Sequence, residues 1–367
     1  MDPQVFTAMT PWFTGQFGNA ASATHLYGWE ARDAVDEARE RVATLIGADP
    51  REIIFTSGAT ESVNLAIKGL AEKNGFNGRH IITCVSEHSA VLDTCAYLEN
   101  SGYALTYLPV DRHGLIDADQ LEEAIRPSTL LVAIMYANNE TGVLQPIREI
   151  ASRTKKHGIP LFCDATQAVG KIPFDVRAEG IDLMAFSAHK MHGPKGTGVL
   201  YAGKDHGNTK LIPQLHGGGH ERGLRSGTLN VPGIVGLGQA SAICIERMEQ
   251  DRLRLCSLRN RLETELLQIP ESKLNGHPDH RLHHVTNIAF KVADARHMMI
   301  ALSKNIAVSS GSACTSLNQR PSHVLTAMGL DRNLAMGSIR FSLGRFNTEP
   351  EIEHTIRVVK DHFLHIR

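Results

Sequence analysis

Short apolar runs alternate with segments of helical period along the first two-thirds of the chain, and this alternation limits the possible folds more than any other feature. The run "EIIFTS" precedes a helical pattern from about Ala59 to Lys73, and "HIITC" precedes one that begins near His88. "TLLVAIMY" leads into "PIREIASRTKKHG", after which "PLFCD" and "DLMAFS" follow. Strands joined through helices return to the same edge of a sheet, so the pattern predicts parallel βαβ units in a doubly wound α/β sheet. Upstream, "GWEARDAVDEARERVATLIG" puts Val35, Ala38, Val42 and Leu45 on one helix face, with Gly47 suited to its end. A long helical pattern starts at Pro232, and "VTNIAFKV" and "DARHMMIALSKN" beyond it read as a smaller α+β unit. The boundary falls inside the long helix, giving a large domain over 1–247 and a small C-terminal domain over 248–367.

Composition removes several classes of function. Lys plus Arg is 38 against 39 for Asp plus Glu, so bulk charge offers no surface for nucleic acid or membrane. The longest apolar run, "LLVAIMYA", is too short to span a bilayer, and "MDPQVFTAM" has neither region of a secretory signal. A soluble, cytoplasmic protein is expected.

The 6 cysteines are scattered without a CxxC pair, which speaks for reduced thiols and against a disulfide framework or zinc site. Cys84 and Cys163 end apolar strand-like runs and read as small buried hydrophobes. Cys314 differs: it stands in "AVSSGSACTS" among the smallest side chains, with nothing apolar to pack on.

Three segments carry chemistry. In "TSGATESVNLAIKG" a strand meets a small-residue turn and a helix, whose unpaired N–H groups and positive dipole end suit a phosphate. Gly58 allows close approach and Thr60 offers a hydroxyl, although a plain capping turn built on Thr60 and Glu61 has the same sequence. "PLFCDATQAVGK" ends a strand in Asp164, with Gln167 beside it; the acid suits a pyridine nitrogen, or else caps the next helix. "AFSAHKMHGPKGTGVLY" places Lys190 just past a strand end, where α/β sheets bind ligands and a lysine forms a Schiff base with pyridoxal phosphate. A solvated loop lysine is the alternative, and His88 reads as either a core histidine or a helix-opening residue.

Taken together, "GATESVNLAIKG", "NNETG", "DATQAVGK", "SAHKMHGPKGTG", "HGGGHERGLRSGT", "SSGSACTS" and "SIRFSLGRF" follow the order and approximate spacing seen in cysteine desulfurases. The chain resembles that family over almost its whole length, and its "SSGSACTS" loop is similar to the group with the longer cysteine loop. The resemblance implies a pyridoxal-phosphate enzyme of the class V aminotransferase type. Its fold would be fold-type I, with a mostly parallel seven-stranded sheet and a smaller α+β domain. It implies that Lys190 links the cofactor, Asp164 pairs with the ring nitrogen, Gln167 contacts the ring hydroxyl and His88 stacks on the ring. Thr60, Ser187 and His189 would hold the phosphate, with Ala59 and Ala188 in the same two cofactor-binding segments. Thr228 would reach the phosphate of the partner subunit, which implies a homodimer. Asn139 would lie beside cofactor and substrate, Arg340 would grip the carboxylate of L-cysteine, and Cys314 would be the nucleophile that carries persulfide to an acceptor protein. Iron–sulfur cluster assembly and thiolation pathways are the implied destinations.

Some features depart from the family. Its opening strand and "ATTP"-type stretch, which in the family pack with the small domain near the active site, have no counterpart ahead of Asp2, which leaves full activity open. The sequence ends at "HFLHIR" without the tail that some relatives use to dock a scaffold protein. Met336 stands where a histidine is common, and no physical reason for it is evident. The run "NGHPDHRLHH", with His277, His280, His283 and His284, reads as a solvated loop before a strand; no metal site is expected. A selenocysteine lyase or aminotransferase on the same scaffold is the neighbouring alternative, and a non-catalytic subunit the distant one. Transamination needs no thiol, and a non-catalytic copy has no use for Lys190, Asp164, His88 and Cys314 together.

Overall fold

The computed structural model describes residues 1–75, 79–173, 175–203, 211–292, 294–310 and 320–364. The chain divides into two compact units. The first comprises Met1–Leu108, Ala118–Tyr136 and Pro146–Met248; the second comprises Pro109–Asp117, Ala137–Gln145 and Glu249–Arg367. Sequence patterning gave no warning that the segments beginning at Pro109 and Ala137 group with the C-terminal residues.

The first unit holds β1 (Ile53–Thr56), β2 (His80–Cys84), β3 (Ala104–Leu108), β4 (Thr129–Ala133), β5 (Leu161–Asp164), β6 (Leu183–Ser187) and β7 (Gly198–Ala202). They form one seven-stranded sheet in the order β1-β7-β6-β5-β4-β2-β3. Pairing is parallel from β3 through to β6, whereas β7 runs antiparallel to both β6 and β1. Two reversals cancel, so β1 points the same way as β6, and the carboxyl ends of β1, β2, β5 and β6 share one sheet edge. Around the sheet are α1 (Pro3–Met9), α2 (Leu26–Ile46), α3 (Ala59–Asn74), α4 (Ser89–Asn100), α5 (Ala118–Ala124), α6 (Ile147–Lys156), α7 (Val176–Glu179) and the first part of α8 (Val231–Leu266).

Strands β5 and β6 are buried along their whole length, as uninterrupted apolar runs in a parallel sheet must be. Their core residues Phe162, Leu183 and Ala185 pack with Val63, Ile67 and Leu70 of α3. Fully burying each such aliphatic or aromatic side chain contributes about 1.5–3 kcal/mol. Helix α2 buries Val35, Ala38, Val42 and Leu45 and ends at Gly47 in the left-handed conformation, as its period predicts.

The second unit has an antiparallel sheet ordered β10-β11-β9-β8, from β8 (Lys273–Asn275), β9 (Val285–Ala289), β10 (Ser309–Ser310) and β11 (Ser338–Ser342). It also contains the rest of α8 with α9 (Ala295–Ser303), α10 (His323–Ala327), α11 (Arg332–Met336) and α12 (Glu349–Leu364). Ile288, Phe290, Ile339 and Phe341 form its core with Leu258 and Leu262 of α8. His283 and His284 are buried at the approach to β9, which corrects the expectation that the whole histidine run is solvated; His280 alone of the four is exposed. Among the described residues no group of His, Cys, Asp and Glu has the arrangement to hold a metal ion. No described helix is long and apolar enough to cross a membrane.

Candidate active site

The shared carboxyl edge of β1, β2, β5 and β6 receives most of the residues singled out in the first unit. After β1, Gly58 occupies the cap position of α3, and no side chain caps that helix. The turn is therefore not closed by Thr60, as a simple capping motif would require; Thr60 is exposed. The Ala59 N–H donates instead to Ser187 Oγ at 2.7 Å, which joins the start of α3 to the end of β6. This contact depends on close backbone packing beneath it, since a Cβ on Gly198 would lie 2.5 Å from the Gly58 Cα. The Glu61 carboxylate accepts from the Ser57 N–H at 2.8 Å and from Arg225 Nε at 2.9 Å. Burial raises the Glu61 pKa, but these hydrogen bonds more than offset it and hold the carboxyl below its ordinary range.

Asp164 ends β5 and is only 6% exposed. Its Oδ1 accepts from the Thr166 N–H at 3.0 Å, a local turn rather than a helix cap. Next to it β6 ends at Ser187, and Ala188–Met191 makes one tight 3-10 turn that presents His189 and Lys190 at the surface. Partial burial and the ammonium groups of Lys190 and Lys195 lower the His189 pKa, so its ring stays neutral near pH 7. Gln167 is half-buried in the turn after Asp164. His88 follows β2 and opens α4, its Nδ1 accepting from the Ala90 N–H at 3.1 Å; it is an exposed helix-opening residue rather than a core histidine. Thr228 is exposed on the loop before α8.

Sequence reasoning passed over Glu87. It is 1% exposed, and its Oε1 accepts from the Met135 N–H at 2.6 Å beyond the end of β4. Burial drives its pKa well upward against the Met135 hydrogen bond, and the nearby Asp164 carboxylate raises it further. A buried acid with a raised pKa thus braces the turn that carries His88. The one available signal was an acidic residue three positions past the end of an apolar strand.

In the second unit Arg340 lies on β11 opposite Asn287, and Asn287 Nδ2 donates to the Glu140 carbonyl at 3.0 Å. Asn138 Oδ1 accepts from the N–H groups of Glu140 and Thr141 at 2.9 and 3.0 Å, which shapes the "NNETG" turn. That turn aims the Asn139 carbonyl at Arg340 Nη1, 2.7 Å away, so the structure brings these two predicted residues together. Arg340 Nε is buried and has no hydrogen-bond partner among the described residues. Burial lowers the Arg340 pKa, partly countered by Glu140. Cys314 lies outside the described residues.

The residues on the first sheet edge fit pyridoxal phosphate. They comprise an amine, a buried acid, a neutral imidazole, an exposed aromatic ring and a helix start lined with N–H and hydroxyl groups.

Residues 1–355 match the family model described as aminotransferase class V. "Cysteine desulfurase IscS" of Anaeromyxobacter dehalogenans (strain 2CP-C) is 49% identical over 359 residues, 98% of this chain and 88% of the relative. The protein of the same name from Escherichia coli O139:H28 is 51% identical over 362 residues, covering 98% and 89%. The chain belongs to the cysteine desulfurases of the class V aminotransferase family. Among solved structures, a NifS-like protein superposes with a TM-score of 0.92 at 38% identity, covering 100% of this chain and 96% of that one. A structure described as "SspA in complex with cysteine" gives 0.82 at 39% identity, covering 95% and 97%. As a desulfurase of this family the chain has the fold-type I architecture and works with pyridoxal 5'-phosphate.

Proposed function

We propose that the chain takes sulfur from L-cysteine, releases L-alanine and passes the sulfur on as a persulfide of Cys314. The observation that carries this reading is the convergence of Lys190, Asp164, Ser187 and the start of α3 on one sheet edge, in a member of the desulfurase family. The cofactor-binding domain is taken as the first compact unit, which runs to Met248 without Pro109–Asp117 and Ala137–Gln145, and the smaller domain with the cysteine loop as the second. When bound, pyridoxal phosphate withdraws electrons from the substrate Cα and makes cleavage of the Cβ–Sγ bond accessible.

Lys190 would hold the cofactor and its amine would take the proton from the substrate Cα. Asp164, buried at the end of β5, would pair with the ring nitrogen, and His88 would cover the ring face. Gln167 donates to the ring hydroxyl. Thr60, Ser187, His189 and the N–H groups near Ala59 and Ala188 bind the phosphate, while Asn139 faces cofactor and substrate. Arg340 has donors to spare and takes the substrate carboxylate. The Cys314 thiolate attacks the substrate Sγ; the S–S bond forms as the Cβ–Sγ bond breaks, and Cβ keeps the electron pair and is protonated to give alanine. An unperturbed thiol with a pKa of about 8.5 is about 3% thiolate at pH 7, so Cys314 needs help from a nearby base or field.

The enzyme acts as a cytoplasmic homodimer, and Thr228 completes the partner subunit's phosphate site. In support, Phe13, Phe17, Leu26 and Tyr27 are exposed near the N-terminus, with the Phe17 and Tyr27 rings stacked at 5.3 Å. The sulfur goes to an acceptor protein, for iron–sulfur clusters or thiolation.

Sulfide and alanine release from L-cysteine, with a reductant present, tests the reading. The wild type yields both products in equal amounts; Cys314→Ala and Lys190→Ala yield neither. A yellow wild-type protein that makes neither product overturns it.

A further inference from the structure

We propose that Arg39 and Glu221 form a buried latch that fixes the position of Thr228, so that each chain's latch serves the phosphate site of its partner subunit. The inference rests on the reading above that Thr228 acts across the dimer.

The loop leading to Thr228 cannot hold one shape by itself. Gly217, Gly218, Gly219, Gly223 and Gly227 all have positive φ, and so do Glu221 and Arg222, at 47° and 58°. A Cβ at Gly217, Gly219 or Gly223 would meet no atom within 4 Å, so these glycines answer to backbone conformation and not to packing. Glycines in such number leave a chain with many conformations of similar energy. Glu221 and Arg222 gain nothing locally from the left-handed region; something else holds them there.

The restraint is the Glu221 carboxylate, on a residue 6% exposed. Its oxygens accept from Arg39 Nη1 at 2.8 Å, Arg39 Nη2 at 2.7 Å and the Phe55 N–H at 2.8 Å. Arg39 is itself fixed, because Nη1 also donates to the Ile53 carbonyl at 2.8 Å and the guanidinium lies 4.5 Å above the Phe55 ring. Arg222 Nη2 donates to the same Ile53 carbonyl at 2.6 Å. Thus α2, β1 and the glycine loop meet at one fully used ion pair. Position is passed along the loop by His220, whose Nδ1 accepts from the Gly227 N–H at 3.3 Å, one residue before Thr228. A buried ion pair adds little stability over an apolar replacement, and selecting one arrangement among many is the role that remains.

Mixed dimers of two differently tagged chains test this, read by equilibrium binding of pyridoxal phosphate. The absorbance of the lysine-linked cofactor reports only the site that keeps Lys190. In the first arrangement one chain carries both Lys190→Ala and Glu221→Gln and its partner is wild type, so the intact lysine faces the altered loop. In the second, Lys190→Ala is on one chain and Glu221→Gln on the other, so the intact lysine faces a normal loop. Affinity should fall about tenfold in the first arrangement and stay at the control value in the second. Thr228→Ala, placed in the same two ways, should show the same asymmetry. His220→Ala, which keeps the ion pair, should show it more weakly and serves if Glu221→Gln does not fold. If Thr228→Ala is asymmetric but both Glu221→Gln and His220→Ala weaken the two arrangements equally or not at all, the latch is refuted and the dimer reading stands. If Thr228→Ala shows no asymmetry, both fall.

Discussion

Arg39 and Arg340 are both held by a main-chain carbonyl, yet their remaining donors fare differently. Arg39 uses the rest of its fork on Glu221, with every partner supplied by the chain. Arg340 bonds to the Asn139 carbonyl and has a buried Nε with no partner among the described residues. A buried donor without an acceptor costs about 1–3 kcal/mol. The contrast is between an arginine whose donors the chain meets and one that keeps a buried donor unmet.

The largest expected effect comes from breaking the satisfied side of the comparison. Arg39→Met should cost about 3–5 kcal/mol in denaturant unfolding, because Glu221 is left buried without its partner. Adding Glu221→Leu should restore most of that loss. If the single variant unfolds like the wild type, a full set of partners does not mark a structural arginine.

His80 extends the same test to another satisfied group. It is 0% exposed, and its ring nitrogens lie 2.8 and 2.9 Å from the hydroxyls of Thr129 and Thr106. Burial, with a smaller contribution from Arg126, lowers its pKa from 6.5 to about 4. The folded state therefore favours the neutral ring. That contribution is complete above pH 6.5 and is lost as pH falls toward 4, about 3 kcal/mol in all. Unfolding free energies measured across this window should lose that slope in His80→Gln.

The unsatisfied side predicts the reverse pattern. Arg340→Met should raise the KM for L-cysteine about 100-fold, as the loss of charge-assisted bonds to a carboxylate requires, while Tm stays near the wild-type value. A drop in Tm as large as that of Arg39→Met would sink the distinction.

What could be read from the sequence follows the same division between local and distant causes. Strands β1, β2, β5 and β6 and helices α2, α3 and α8 declare themselves through period and run length. Asp164 and Lys190 are legible because a polar residue at the end of an apolar run is a local event. Strand β3, "ALTYL", is only partly buried and its pattern is correspondingly weak. Strand β7 hides behind the glycines of "GPKGTG" that precede it. The Arg39–Glu221 pair joins residues 182 apart, and no local pattern could report it. The grouping of Ala137–Gln145 with the C-terminal residues is equally non-local.

The buried thiols have a consequence for a protein that handles reactive sulfur. Burial pushes the thiols of Cys84 and Cys95 up to about 12, and that of Cys163, beside Asp164, also far upward. At neutral pH the Cys84 and Cys95 thiols are ionised to about one part in 100,000, and exchange needs the thiolate. These three buried thiols are thereby slow to exchange with sulfur that the protein carries.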